Sequence, residues 1–245
     1  LTRQREVKRE FDEQGYVVIR QFLNAGELEE LRSEIGRYIN ETLPNVPVSD
    51  VIFEVKDDPS TIKQLVRMCA YDAYFEKLIS SDRFRSLAEL LLVSMVVGKN
   101  MQWFNKPVEV SRATPPHQDG YYFMLLPNAA ITMWLALDEV GEDNGCVRYV
   151  KGSHLRGLRA HERTTTPGFS QAIPDYSAAD AEREVPIEAV PGDLLVHHSL
   201  TIHRADANHS RRKRRALGII YYSSTAKEDT QRLQAYQREL ASQVV

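Results

Sequence analysis

The run Arg215-Ala216-Leu217-Gly218-Ile219-Ile220-Tyr221-Tyr222 (residues 215–222) decides the fold. Bounded by a charged turn and rich in β-branched and aromatic residues, it reads as a strand rather than a helix. Side chains two residues apart share a face of a strand, so Arg214 at its edge lies on the face of Ala216 and Gly218. Those two residues have almost no side chain and leave room inside a barrel. Upstream, from about residue 93, similar short runs alternate with loops rich in Pro, Gly and Asn. They cover 94–104, 121–126, 130–138, 146–150, 185–190 and 193–198, with 215–223 as the last. Short strands at this spacing predict an antiparallel barrel or jelly roll.

The first third reads differently. Residues 6–14 are helix-like and end at Gly15, Tyr16-Val17-Val18-Ile19 forms a short strand, and Asn24 with Glu27 makes a capping box. Leu28, Leu31, Ile35 and Tyr38 then recur on one helical face, and further helices are expected at 73–80 and 83–92. Residues 155–184 lack periodicity and carry Thr164-Thr165-Thr166-Pro167-Gly168 and Pro174, which predicts a long loop of the kind that forms lids. From Lys227 to Val245 a polar helix with Leu233, Tyr236 and Leu240 on one side docks on the body or on a second subunit, so a homodimer through it is one expectation.

The expected architecture is a single domain, 1–245, mainly β with flanking helices. A double-stranded β-helix (jelly-roll, cupin-like) core spans 94–223, mostly helical support from 1–93 packs on one face, and a helix occupies 224–245. Composition agrees. The 245 residues include 42% hydrophobic and 27% charged, with 31 Lys+Arg against 34 Asp+Glu for a net charge of −3. That balance excludes a disordered tail and argues against a nucleic-acid partner. No stretch is long and apolar enough for a spanning helix, and Leu1–Glu6 shows no secretory signal. The two cysteines, Cys69 and Cys146, form no metal or redox pair motif, so a cytoplasmic setting is the default expectation.

Chemistry concentrates in Pro115-Pro116-His117-Gln118-Asp119-Gly120. On extended backbone His117 and Asp119 point the same way and can bind one metal. His203, just past the run 193–198, is the third candidate, and one of His197 and His198 could replace it because neighbouring residues face opposite sides of a strand. Two imidazoles and one carboxylate leave three coordination positions open, the arrangement of non-haem Fe(II) oxygenases. His154, His161 and His209 fall in expected loops and read as solvated. A guanidinium buried at Arg214 would need an anionic partner and matches a carboxylate bidentately. The rest of Arg211-Arg212-Lys213-Arg214-Arg215 reads as a soluble turn.

The ordered landmarks Gly15-Tyr16-Val17-Val18, Asn105-Lys106-Pro107, His117-Gln118-Asp119, Trp134-Leu135-Ala136-Leu137, Asn144-Gly145-Cys146, Gly152-Ser153-His154, Pro191-Gly192-Asp193, His203 and Arg214 resemble the phytanoyl-CoA dioxygenase-like Fe(II)/2-oxoglutarate oxygenases, over roughly residues 10–223. The resemblance implies that His117, Asp119 and His203 bind iron, that Arg214 holds the distal carboxylate of 2-oxoglutarate, and that Gln102 and Trp134 are secondary contacts of that co-substrate. Many relatives carry Ser two residues after the distal His. Here Ala205 stands there, and Thr201 is the candidate substitute donor. Asp119 retains the carboxylate that halogenases of the family lack, which favours hydroxylation.

The implied activity is therefore hydroxylation of a C–H bond of a small molecule, with Fe(II), 2-oxoglutarate and O2, and release of succinate and CO2. By strand alternation Tyr121 and Tyr122 are expected on the substrate wall, while Arg156, Arg159, His161 and Arg163 in the lid would meet an anionic substrate group. A metal cupin working without 2-oxoglutarate, or a non-enzymatic barrel module, are the rival readings.

Overall fold

The computed structural model describes residues 2–56 and 58–241. Its centre is a seven-stranded antiparallel sheet in the order Tyr16–Ile19, Leu194–His198, Ala130–Ala136, Arg214–Ser223, Val96–Lys106, Ile62–Leu65, Val51–Phe53. A second sheet has the order Glu184–Ile187, Val147–Val150, His203–Ala205, Thr114–His117. The two sheets face each other as a jelly roll, as expected.

The period of two sorts the side chains of the major sheet into two populations. Met133, Leu135, Leu194, Val196, Leu217, Ile219 and Tyr221 point outward, where they pack with Phe11, Leu28, Leu31, Ile35, Phe75, Phe84 and Leu91 of the helices. The alternate residues Trp134, Ala136, Leu195 and Ala216 point inward and meet Val147, Tyr149 and Ile187 of the minor sheet. The same parity decides between the adjacent histidines. His197 is 2% exposed and faces the interior of the jelly roll, whereas His198 lies beside Phe11 and His154 on the helical side.

The supporting helices are Thr2–Gln14, Ala25–Arg37, Ala73–Ile79 and Asp82–Leu92, with shorter turns between them. Asn24 and Glu27 form the expected capping box. Gly15 sits at φ +83°, and a Cβ there would lie 2.4 Å from Nδ1 of His154, so the turn into the first strand requires glycine.

Three expectations are corrected. The run 121–126 is not a strand: residues Asp119–Phe123 form one helical turn, closed at Met124 in the left-handed region, and only Leu125–Leu126 is extended. The cause is Gly120, whose N–H donates to the carbonyl of Ser199 and turns the chain away from the sheet. Secondly, 155–184 is not an unstructured loop. It holds a hairpin, Glu162–Thr166 with Phe169–Ala172, and a short helix, Ala178–Ala181. Pro167 and Gly168 are the central pair of its turn, with Gly168 at φ +78°, as a type II turn demands. Thirdly, the first third contributes strands Val51–Phe53 and Ile62–Leu65, which extend the major sheet.

The C-terminal helix is Thr230–Ala241, and residues 242–245 and the side chain of Leu240 lie outside the described residues. It docks on its own chain: the Tyr236 hydroxyl is 2.7 Å from that of Ser170 in the hairpin, and the Arg232 guanidinium lies over the Tyr121 ring.

Asp193, fully buried at the corner between the first strand and the sheet, accepts hydrogen bonds from Gln21 N–H, Val190 N–H and Arg20. Burial opposes its charge, but those donors outweigh it and hold the carboxyl below the usual carboxylate range. Its contribution to stability is therefore present above the unfolded-state value near pH ~4 and lost as pH falls through the lower folded value. Asp193→Ala should cost about 2–3 kcal/mol in urea unfolding at pH 7, with a smaller difference from the parent at pH 3.

Candidate active site

His117 ends its minor-sheet strand and stands opposite His203 in the neighbouring strand, so sheet register alone brings the two imidazoles to a ring separation of 4.2 Å. Asp119 opens the helical turn two residues later. Its Oδ1 lies 3.6 Å from Nε2 of His117 and 3.7 Å from Nε2 of His203. One donor atom from each of the three residues falls within 4.8 Å of the others, a group able to hold a metal ion. The pairing of His117 and Asp119 was expected from extended backbone, but a strand end followed by a helix start produces it.

The protonation states suit a cation. Nδ1 of His117 is 2.8 Å from the Pro115 carbonyl and Nδ1 of His203 is 3.0 Å from the Thr201 carbonyl, so each ring donates there and leaves its Nε2 lone pair facing the gap. Burial pushes His117 down, and burial with the neighbouring imidazoles pushes His203 well below the ordinary histidine value. For Asp119 burial resists ionisation, but His203 and the hydrogen bond from His197, with His117, hold the carboxyl far below the carboxylate range. Neutral imidazoles and an ionised carboxylate are the ligand forms that a divalent metal requires.

A cavity of about 280 Å³ opens from this group, near the lower end of small-molecule sites. At its far end Arg214 is 5% exposed with its guanidinium over the Trp134 ring at 5.2 Å. Among the described residues its Nε has no hydrogen-bond partner, and Asp138, the carboxylate whose charge it feels, is bound by the neighbouring Arg215. Burial lowers Arg214 to about 10, which still leaves it charged at neutral pH. A buried cation without an anion is costly, and a ligand carboxylate meets that need. The site therefore fits both expected groups: the donor set fits Fe(II), and the orphaned guanidinium fits the distal end of 2-oxoglutarate. Gln102 and Trp134 also line the cavity, as does Ala205.

Other expectations fail. Thr201 cannot replace the missing serine, because its hydroxyl donates to the Gly15 carbonyl at 2.7 Å. Tyr122 lines the cavity and its hydroxyl bonds the backbone of Gln171 in the hairpin, but Tyr121 is turned away by the helix and stacks on His161 at 4.3 Å. His161 is not solvated: it is 8% exposed, and its Nε2 accepts from the Gln118 N–H. Arg156 and Arg159 pair with Asp180, and none of Arg156, Arg159, His161 and Arg163 lines the cavity. In the basic run Arg212 pairs with Glu139 and Asp143 at the surface while Arg214 points inward.

Several residues at the site have no role assigned from sequence, Lys106 and Gln118 among them although both lie in landmark motifs. Lys63 and Lys106 line the cavity near Arg214, the former paired with buried Glu54 at 3.1 Å and the latter donating to the Arg112 carbonyl. Phe169 of the hairpin stands 4.9 Å from the His117 ring, so the hairpin reaches the candidate donor group itself. Gln118 uses its whole amide to tie that region together, donating to the carbonyls of Gly157 and Leu200 and accepting from Arg159 N–H. Polar residues inside short strands and hairpins give no periodic signal that would single them out.

Asp119→Ala should reduce Co(II) affinity by at least about 100-fold in a chelator competition, since it removes the sole anionic donor of the group. Retention of parental affinity would remove Asp119 from the ligand set.

Comparison with known proteins gives a consistent picture. The family model described as phytanoyl-CoA dioxygenase (PhyH) matches residues 11–216. The peroxisomal phytanoyl-CoA dioxygenase of Mus musculus is 26% identical over 235 residues, covering 89% of this chain and 68% of that protein. A probable alpha-ketoglutarate-dependent hypophosphite dioxygenase of Stutzerimonas stutzeri is 26% identical over 232 residues, covering 90% and 79%. Among solved structures, the epimerase SnoN in complex with Fe3+, alpha ketoglutarate and nogalamycin RO superposes with a TM-score of 0.74 at 23% identity, over 93% of this chain and 86% of that one. EctD from S. alaskensis with 2-oxoglutarate and 5-hydroxyectoine gives 0.75 at 20% identity, over 89% and 75%. The match over most of the chain places this protein in the phytanoyl-CoA dioxygenase (PhyH) family.

Proposed function

We propose that this protein is an Fe(II)- and 2-oxoglutarate-dependent dioxygenase that hydroxylates a C–H bond of a small molecule, with succinate and CO2 as co-products. The observation that carries the reading is one cavity lined both by a His-Asp-His donor group and by an orphaned buried guanidinium. Ferrous iron with 2-oxoglutarate and O2 supplies the oxidising chemistry when bound, and the protein supplies ligation, orientation and exclusion of water.

Each residue then has a defined task. His117, Asp119 and His203 would hold the metal through Nε2, Oδ1 and Nε2, the atoms that converge. Arg214, packed on Trp134, would fix the distal carboxylate, with Gln102 as a polar contact on the same inward face. Tyr122 and Phe169 would wall the substrate side, held by the Tyr122 bond to the hairpin. The retained carboxylate of Asp119 favours hydroxylation over halogenation. The chain works as one oxygenase domain in a reducing compartment, the cytoplasm: its two cysteines are free, and no helix among the described residues is long and apolar enough to cross a membrane. Any dimer through the C-terminal helix would have to use a face other than the one on Ser170 and Tyr121.

The test is an anaerobic titration with Fe(II), then 2-oxoglutarate, read by the weak visible charge-transfer band of the chelate. The band should appear in the parent, and a cupin working without 2-oxoglutarate would bind iron but show no band. Arg214→Ala should raise the 2-oxoglutarate concentration required by about 100-fold or more, the expected cost of removing one partner of a buried charged pair, with Fe(II) affinity unchanged. An unaltered requirement would assign the arginine elsewhere.

A further inference from the structure

We propose that His197 and Thr132 are positioning residues that hold one oxygen of Asp119, so that this carboxylate offers only the other to the metal. The inference rests on the ligand set proposed above. It adds two residues that lie outside that set and belong to the opposite sheet.

The geometry is explicit. Thr132 and His197 are direct cross-strand neighbours in the major sheet, and both face the cavity. The Thr132 hydroxyl donates to Oδ2 of Asp119 at 2.5 Å, and Nε2 of His197 lies 3.0 Å from the same oxygen. The remaining oxygen, Oδ1, is the one near His117 and His203. An ionised carboxylate accepts but cannot donate, so Nε2 of His197 carries the hydrogen. With the hydrogen on Nε2, Nδ1 can accept, and the Tyr149 hydroxyl 2.9 Å away is placed to donate to it. Tyr149 is fully buried and stacked on Tyr16 at 4.6 Å, which fixes the far end of the relay.

Two charge-assisted bonds on Oδ2 occupy the lone pairs that bidentate coordination would need. Asp119 is thereby confined to one coordination position. A metal held by one atom from each of His117, Asp119 and His203 would keep positions free for a chelating 2-oxo acid and O2. Without the grip the carboxylate could rotate, take a second position and compete with the co-substrate. His197 is also close to His203, at 4.4 Å between rings, so the alternative for this residue is direct ligation as a third imidazole.

The experiment uses the full chain and Co(II) as the probe. Chelator competition gives affinity, the visible d–d band reports coordination number, and thermal unfolding of the metal-free proteins reports folding. His197→Phe and Thr132→Val should each weaken Co(II) binding by about 10- to 100-fold and alter the band, as loss of an outer-sphere partner does. Thr132→Ser, which keeps the hydroxyl, should restore both, and the double variant should lose less than the sum because the two residues share one oxygen. The proposal is overturned if both single variants keep parental affinity and band, or if pulsed EPR of a Cu(II)-loaded sample counts three bound imidazoles in the parent and two in His197→Phe. Should His197→Phe fail to fold, Thr132→Val and Thr132→Ser decide the matter alone. Failure of the ligand set looks different: the parent would then bind no stoichiometric Co(II), or Asp119→Ala would bind it as well as the parent.

Discussion

Asp119 is an ionised carboxylate enclosed by three imidazoles, and the site is organised around that charge. Burying a charge costs several kcal/mol or more unless donors replace water. Here the replacement comes from both sheets. His117 and His203 reach it from paired strands of the minor sheet, whereas Thr132 and His197 reach it from paired strands of the major sheet. The charge is thus shared across the seam where the two sheets meet.

The alternation of the major sheet was legible because it needs only a period of two. That rule placed Arg214 with Ala216 and Gly218, and it required that one of His197 and His198 point inward. What it could not supply was register. Thr132 opposite His197 and His117 opposite His203 are cross-strand facts, fixed by pairings between segments some sixty to ninety residues apart, and no local pattern encodes them. Local reading also failed where one residue overrides its neighbours. Gly120 turned an apparent strand into a helix and moved Tyr121 out of the cavity, while Thr-Pro-Gly, read as a breaker, is the turn of a hairpin with β-branched flanks. The strand Ile62–Leu65 was hidden for another reason: Lys63 and Gln64 are buried in it, against every compositional expectation for a core strand.

Those buried cations give the cavity a polarity. Around Arg214 stand Lys63 and Lys106; Lys63 forms an ion pair with Glu54, and Lys106 donates to a backbone carbonyl with Glu54 and Asp206 as more distant counter-charges. Burial with its cationic neighbours pushes the Lys106 ammonium well below its ordinary value. An anion at this end would relieve all three groups at once.

The spacing between the two ends is set by one strand. Trp134, under the Arg214 guanidinium, and Thr132, which grips Asp119, are two residues apart on the inward face of Ala130–Ala136. Two residues of strand advance about 7 Å, of the order of the length of a five-carbon diacid. Gly218, opposite Trp134, makes room for the ring of Phe104, another cavity-lining residue, because a Cβ there would come within 2.6 Å of it. A diacid held between Arg214 and the donor group would thus be measured by the pleat of one strand, a more rigid frame than a loop.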